Sequence, residues 1–215
     1  MRPTMQLLPV GPLPPTLPPK IDLEVGGAVL AAGAAVGLLV WLWRWHRRRR
    51  LRQARIQAVT ACGFDHLRDV LVPDGLGGVL HVDFLLLTVR GAVVIDLRDV
   101  AGNIFGGDQM NEWTVMNRAH RYTFVNPQTA LYDRIAAVRA LAQDLPVEGR
   151  IVFTSSGRFP KGLPRYTLSL ESLSAEFPVS DRQAMSELLE RWAPQWEAVK
   201  KSVAPSRLHV AKAAI

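Results

Sequence analysis

Residues 79–98 read VLHVDFLLLTVRGAVVIDLR, two apolar runs separated by Arg90 and Gly91. Residues 79–89 are almost wholly apolar, as are residues 92–97, and runs of this kind rich in Val, Leu and Ile predict β-strands. Arg90 and Gly91 leave room only for a tight connection, which predicts an antiparallel hairpin. Because neither strand alternates apolar with polar residues, we expect both at the centre of a sheet whose two faces are covered.

The flanking sequence predicts the layers that cover this sheet. Asn126 and Pro127 supply a helix cap and a first-turn proline, whereas Pro194 is expected to interrupt a helix. Strands followed by helix, strand and helix predict an α/β (α+β) fold with a mixed central sheet flanked by helices. The further strands are expected at 69–72, 113–116, 121–125 and 151–154, and the helices at 51–62, 128–144 and 181–200.

The net charge of +7 is concentrated in one segment. Seven arginines and no acidic residue lie between residues 44 and 55, whereas residues 56–215 carry as many acidic as basic residues. The bulk charge therefore gives no reason to predict DNA binding. The single cysteine, Cys62, cannot form an internal disulfide and is expected to be a small core residue.

Residues 25–43 contain no charged residue and are rich in Ala, Val, Leu and Gly. At about 1.5 Å per residue this helix would span nearly 30 Å, the thickness of a bilayer core, so a single transmembrane helix is expected. Tryptophans favour the headgroup level, and an arginine run favours the cytoplasmic side. The residues expected to anchor and orient the helix are Trp41, Trp43, Arg44, Arg47, Arg48, Arg49 and Arg50.

This topology predicts a location at the plasma (inner) membrane, with the N-terminus outside, the C-terminal domain in the cytoplasm and the lipid bilayer as a partner. Gly33 and Gly37 have a spacing that lets two helices approach closely, so a homo-oligomer through this helix is a further hypothesis. The expected segments are a Pro-rich extracytoplasmic tail (1–24), the transmembrane helix (25–43), a basic juxtamembrane helix (44–62), a globular domain (63–177) and a C-terminal helical segment (178–215).

Two aspartates lie where acidic side chains are costly. Asp83 stands inside an apolar strand, and Asp96 ends the apolar run of the next strand. The hairpin brings the two strands together, and two close carboxylates can share Mg²⁺. Arg98 lies on the same face as Asp96, so an Asp96–Arg98 pair that satisfies itself is the alternative. The spacing alone leaves both interpretations open.

The order of several short pieces resembles the NERD (nuclease-related) domain. The pieces are HVDFLLLTVRGAVVIDLRDVAGNIFGG from residue 81, Trp113, Asn126–Pro127, RIVFTSSGRFPKGLP from residue 150 and SLESL from residue 169. They cover residues 63–177. The resemblance implies a restriction-endonuclease-like fold of the PD-(D/E)xK group, nucleic acid as a partner, and Mg²⁺-dependent phosphodiester hydrolysis.

The resemblance also implies roles for three residues. Asp83 takes the place of the family's metal-binding strand aspartate, Asp96 that of the Glu in E-x-K, and Arg98 that of the Lys. Asp83 and Asp96 would then bind the metal, and all three residues would be catalytic. Three departures from the pattern are Asp for Glu, Arg for Lys and the lack of an acidic residue at 51–62; Arg98 keeps the charge but cannot act as a base. Two hypotheses follow: a membrane-anchored metal-dependent nuclease with an altered site, or an inactive binding or scaffold module at the membrane.

Overall fold

The structure is a computed structural model that describes residues 23–178 and 182–206, with the backbone alone at 23–32, 182–185 and 188–189. The chain divides into two compact units, one that ends at Arg49 and one that begins at Arg50. The described helices are α1 (Leu23–Thr60), α2 (Pro127–Leu141), α3 (Leu170–Glu176) and α4 (Arg182–Ser202). The described strands are β1 (Asp65–Pro73), β2 (Val79–Thr88), β3 (Gly91–Arg98), β4 (Gly102–Phe105), β5 (Glu112–Asn117), β6 (His120–Val125), β7 (Val147–Phe153), β8 (Gly157–Arg158), β9 (Thr167–Ser169) and β10 (Ala204–Pro205).

A mixed sheet of six strands forms the centre of the second unit, in the order β10-β1-β2-β3-β7-β9. Strands β2 and β3 pair antiparallel across the connection at Arg90, and β3 pairs parallel with β7. Both central strands are buried along most of their length. The predicted hairpin and its central position are therefore confirmed.

A second sheet of four strands lies in the order β6-β5-β4-β8. Trp113 of β5 is fully buried and packs against the rings of Phe124, Phe153 and Phe159. A Cβ atom on Gly106 would lie 2.4 Å from the Trp113 ring, so only glycine leaves room for the indole there. This packing joins the small sheet to strand β7 of the large sheet.

Helices cover both faces of the large sheet. On one face Leu131 and Val138 of α2 share a core with Val94 and Ile151, because alternate residues of β3 and β7 point to that side. On the other face Val93, Ile95 and Val152 pack against Val59 of α1, Cys62 and Leu173 of α3. The mixed α/β architecture flanked by helices is confirmed, and Cys62 lies in the core as predicted.

No helix within the described residues has an apolar stretch long enough to cross a membrane. The predicted transmembrane helix at 25–43 is therefore not supported by the structure. The predicted extracytoplasmic tail lies outside the described residues up to position 22.

Helix α4 continues through Pro194, contrary to the predicted interruption. Trp196 and Val199, in the turns that follow the proline, are buried in the core and hold that half of the helix in place. Five short elements, α3, β4, β8, β9 and β10, were not predicted from the sequence, because runs of two to seven residues carry little periodic pattern.

Candidate functional site

Asp83 lies near the end of the β2–β3 pairing, where its carboxylate turns toward the neighbouring strand. Its Oδ2 accepts a hydrogen bond of 3.1 Å from the backbone N–H of Leu97. The β2–β3 ladder ends with the pair Phe84–Ile95. Asp83 is the next residue of β2 beyond that pair, so it lies beside the end of β3 that carries Asp96 and Arg98. The hairpin thus places the three predicted site residues together where the β2–β3 ladder ends.

Asp69, His81 and Asp83 form a cluster that can hold a cation. Nδ1 of His81 lies 3.6 Å from Oδ1 of Asp83, and its Nε2 lies 3.7 Å from Oδ1 of Asp69. One ligand atom from each of the three side chains lies within 4.8 Å of the others. Ligands of one divalent cation are about 4–5 Å apart at most, so the set fits such an ion without a large rearrangement. An imidazole beside two carboxylates suits Mn²⁺ or Zn²⁺ better than Mg²⁺, which prefers oxygen ligands.

The backbone of Asp69 has an unusual conformation for a residue within a strand. Its φ is +51°, in the left-handed region that costs most residues about 1–2 kcal/mol. The neighbouring pairs Arg68–Phe84 and Val70–Val82 keep a constant register, which places Asp69 across from Asp83. Arg68 holds the Asp69 carboxylate through an Nε–Oδ2 contact of 2.8 Å. The left-handed backbone at Asp69 thus brings an acidic side chain of β1 next to Asp83 in the middle of β2.

Asp96 is buried, with 4% of its side chain exposed, and two arginines bind its carboxylate. Arg98 makes a two-point contact, from Nε to Oδ1 at 2.9 Å and from Nη2 to Oδ2 at 2.7 Å. Arg134 of α2 donates from Nη1 to the same Oδ2 at 3.3 Å. The alternative interpretation of an Asp96–Arg98 ion pair therefore describes the geometry at this position.

Arg134 connects this ion pair with the cation cluster. Besides its contact with Asp96, it donates from Nε to the backbone carbonyl of His81 at 2.6 Å. The cluster and the ion pair consequently belong to one site, built from β1, β2, β3 and α2. Taken together, the site has three carboxylates and three guanidinium groups, since Arg68 pairs with Asp69. With a neutral imidazole its formal charge is zero.

A second polar cluster holds the start of α2 in place. Asn126 caps the helix by accepting from the N–H of Gln128, and the buried Gln128 side chain donates to Asp108 Oδ1 and to the carbonyl of Arg165. The hydrogen bond from Gln128, joined by one from the N–H of Arg165, lowers the pKa of Asp108. The cluster ties two loops to the first turn of α2, the helix that carries Arg134.

The family comparison matches the same part of the chain. Residues 46–154 match the model of the nuclease-related domain, NERD. The chain belongs to the nuclease-related domain family. In this NERD chain the match begins within α1 and ends just after β7, so it includes the whole cluster, Asp96, Arg98 and Arg134. The predicted resemblance is confirmed at the level of the family.

Other comparisons give no closer guide to the activity of the NERD chain. No curated protein matches it, and no solved structure matches it.

The residues predicted for membrane contact lie on α1, and all of them except Arg50 belong to the first unit. Trp41 and Trp43 are about 60% exposed, and the guanidinium group of Arg47 lies 5.5 Å from the centre of the Trp43 ring. Within the described residues the consecutive apolar side chains from Leu38 to Leu42 are all exposed. Since successive residues of a helix point about 100° apart, this part of α1 is apolar on every side.

Sequence reasoning missed Asp69, His81 and Arg134. The signal for His81 was its spacing of two from Asp83, which places both side chains on the same side of a strand. To find Asp69 one needs the register of the β1–β2 hairpin, whose turn lies at Asp74–Gly78. Arg134 gave no signal, because one arginine on a helix does not reveal which strand it will reach.

Proposed function

We propose that this nuclease-related domain binds the backbone of a nucleic acid and hydrolyses its phosphodiester bonds with a divalent cation, Mg²⁺ or Mn²⁺. The proposal rests on two groups of side chains that lie together. A cation-binding set (Asp69, His81, Asp83) lies in the same site as a pair of arginines, and Arg134 contacts both parts.

Each group in the site has a chemical role in this proposal. Asp69, His81 and Asp83 would hold the cation, which lowers the pKa of bound water and polarises a phosphoryl oxygen when present. Arg98 stabilises the negative charge that develops on the phosphate. Arg98 does not accept a proton from water, because a guanidinium group stays protonated in proteins.

The charge balance favours a substrate that enters together with the cation. The site alone is formally neutral, with three carboxylates and three guanidinium groups. A divalent cation would give it two positive charges, which attract a phosphodiester group. We therefore expect nucleic acid to bind more tightly in the presence of Mn²⁺ than in the presence of a chelator.

The test is cleavage of labelled DNA and RNA by the full chain in Mg²⁺ or Mn²⁺. Asp83→Asn should reduce the rate by at least about 100-fold, since even second-shell changes at metal sites cost about 10–100-fold. Asp99→Asn is the matched control, because Asp99 is an aspartate of the same region that pairs with Arg55 and Thr154, outside the cluster. Equal rates in the two variants would contradict the assignment.

One observation favours a second function, a binding module without catalysis. The Asp96 carboxylate, which the family pattern assigns to metal binding, is held by Arg98 and Arg134 instead. A folded wild-type chain that binds nucleic acid but cleaves neither DNA nor RNA with either cation would support this alternative.

We also propose that the first unit contacts the cytoplasmic face of the plasma (inner) membrane. The exposed apolar side chains from Val36 to Trp45 need an apolar surrounding, and the arginines that follow complement anionic lipids. Gly33 and Gly37 have no side-chain neighbour within 4 Å within the described residues, which leaves room for a second copy of this helix.

Co-sedimentation with lipid vesicles tests this location. The full chain should bind vesicles that contain phosphatidylserine more strongly than neutral phosphatidylcholine vesicles, because several arginines lie beside the apolar segment. Arg47→Ala combined with Arg48→Ala should reduce the difference between the two lipids. A chain that starts at Leu51 and binds both vesicles as well as the full chain would contradict the proposal.

A further inference from the structure

Arg134 is placed by two contacts that point in different directions. Its Nε donates to the His81 carbonyl of β2, and its Nη1 donates to the Asp96 carboxylate of β3. A guanidinium group has five N–H donors in a rigid plane, so two contacts fix its orientation and leave further donors. With 19% of the side chain exposed, the group remains within reach of a ligand.

Two guanidinium groups already bind the Asp96 carboxylate. Oδ1 accepts from Arg98, and Oδ2 accepts from both Arg98 and Arg134. A metal ion at this carboxylate would have to displace a guanidinium group and would then lie a few Å from the displaced positive charge. In a buried position such repulsion is only weakly screened. The geometry thus disfavours a metal at Asp96, although it allows one at the neighbouring cluster.

Asp96, Arg98 and Arg134 together form a site that can bind an anion. One carboxylate between two guanidinium groups leaves one net positive charge. The carboxylate also fixes the orientation of both guanidinium planes. Arginine forks of this kind bind phosphate oxygens by paired hydrogen bonds. Arg98 is one-third exposed, so its outer edge can reach a ligand together with that of Arg134.

We propose that Asp96 acts as an anchor for Arg98 and Arg134, which together form a phosphate-binding site, and that Asp96 is not a metal ligand. The inference rests on the proposed function, because it specifies how the same site holds the nucleic-acid backbone. Asp96 and the backbone contact of Arg134 are positioning features in this scheme. The two guanidinium groups make the contact with phosphate.

The first measurement is binding of a labelled oligonucleotide to the full chain in EDTA, over a series of salt concentrations. Each arginine that contacts phosphate reduces the slope of log K against log salt by about one when it is removed. Arg98→Ala and Arg134→Ala should each show this reduction. Arg134→Lys should retain most of the slope, since it keeps the charge, but should bind more weakly because the fork is lost.

Arg139→Ala is the matched control for a purely structural role. Arg139 lies on the same helix and donates to the carbonyl of Val147 at 3.0 Å, so it also joins α2 to a strand. It should leave the salt slope unchanged. If Arg134→Ala gives the same slope as Arg139→Ala in folded protein, Arg134 only joins the helix to the sheet and the proposal is wrong. Absence of binding by the wild type in EDTA would also overturn it.

The second measurement is calorimetric titration with Mn²⁺. Asp96→Asn should weaken oligonucleotide binding in EDTA but retain Mn²⁺ binding, whereas Asp83→Asn should abolish Mn²⁺ binding. Loss of Mn²⁺ binding in Asp96→Asn would identify Asp96 as a metal ligand and overturn the proposal. The salt slopes are measured without metal. They therefore test the role of the arginines even if the chain does not cleave nucleic acid.

Discussion

Glu176, at the end of α3, shows how single ionic contacts hold the second unit together. Its carboxylate accepts from Arg150 at 2.8 Å and from Arg90 at 3.2 Å, and both guanidinium groups lie over the ring of Phe177. The hydrogen bond from Arg150, joined by the contact with Arg90, lowers the pKa of Glu176. The residue thus joins the helix end to β7 and to the turn between β2 and β3.

We predict that Glu176→Gln lowers the free energy of unfolding at pH 7 by about 1 kcal/mol, the usual scale for a partly exposed ion pair. Because the pKa is depressed in the folded state, the stabilisation is complete above the ordinary value of 4.5 and is lost as the pH falls from there through the lower folded-state pKa. Urea unfolding at pH 7 and pH 3 should show a difference between the variant and the wild type only at pH 7. Glu171→Gln, on the exposed side of the same helix, is the control. A difference that persists at pH 3 would contradict the argument.

At the scale of elements, α2 holds the site because it packs closely on β7. Leu131 and Ile135 lie over Gly149, where a Cβ atom would come within 2.8 Å of their methyl groups. The absence of a side chain at Gly149 allows the helix to approach the sheet, and this approach lets Arg134 reach both β2 and β3.

Gly149→Ala should therefore lower the free energy of unfolding by about 1–3 kcal/mol, the usual cost of an overpacked core. It should also weaken oligonucleotide binding, because α2 would move away from Asp96. Gly107→Ala is the matched control, since its nearest neighbour, the Met110 sulfur, lies at an ordinary 3.6 Å. Equal urea midpoints for the two variants would show that the helix–sheet contact adapts to the added methyl group.

At the scale of the molecule, the boundary between the two units falls inside α1. The part of α1 after Arg50 belongs to the second unit, where Val59 is fully buried and Ile56 packs against the same core. The second unit therefore contains its own core on both sides of the large sheet.

We predict that a chain starting at Arg50 unfolds with the same thermal midpoint as the full chain. A chain starting at Gly63 loses the packing of Ile56, Val59 and Cys62, worth at least about 2 kcal/mol. Its midpoint should fall by about 4–8 °C. Circular dichroism of the three chains measures this, and equal midpoints for the two shortened chains would show that the end of α1 contributes no stability.

The sequence was informative wherever a local pattern is enough to specify an element. The apolar runs of β2 and β3, the short connection at Arg90 and the Asn126–Pro127 cap all led to the observed elements. The family pattern pointed to Asp83 and Asp96, which lie beside each other where the β2–β3 ladder ends. The predicted roles of Asp83, Asp96 and Arg98 remain predictions.

The rest of the site depends on register and on contacts between distant residues. Asp69 meets His81 only because the β1–β2 hairpin pairs as it does, and the turned backbone at Asp69 has no sequence signature. Arg134 reaches Asp96 across 38 positions. Such contacts depend on how α2 packs on the sheet. A pattern within one segment of the sequence does not predict that packing.

The pairing of β10 with β1 has a consequence for biosynthesis. The outer edge of β1 pairs with Ala204 and Pro205, and Asp65 at the start of β1 binds Trp196 and Lys200 of α4. During translation, β1 therefore leaves the ribosome long before the segments that cover it. Until those segments emerge, the nascent chain presents an open strand edge that another chain could pair with.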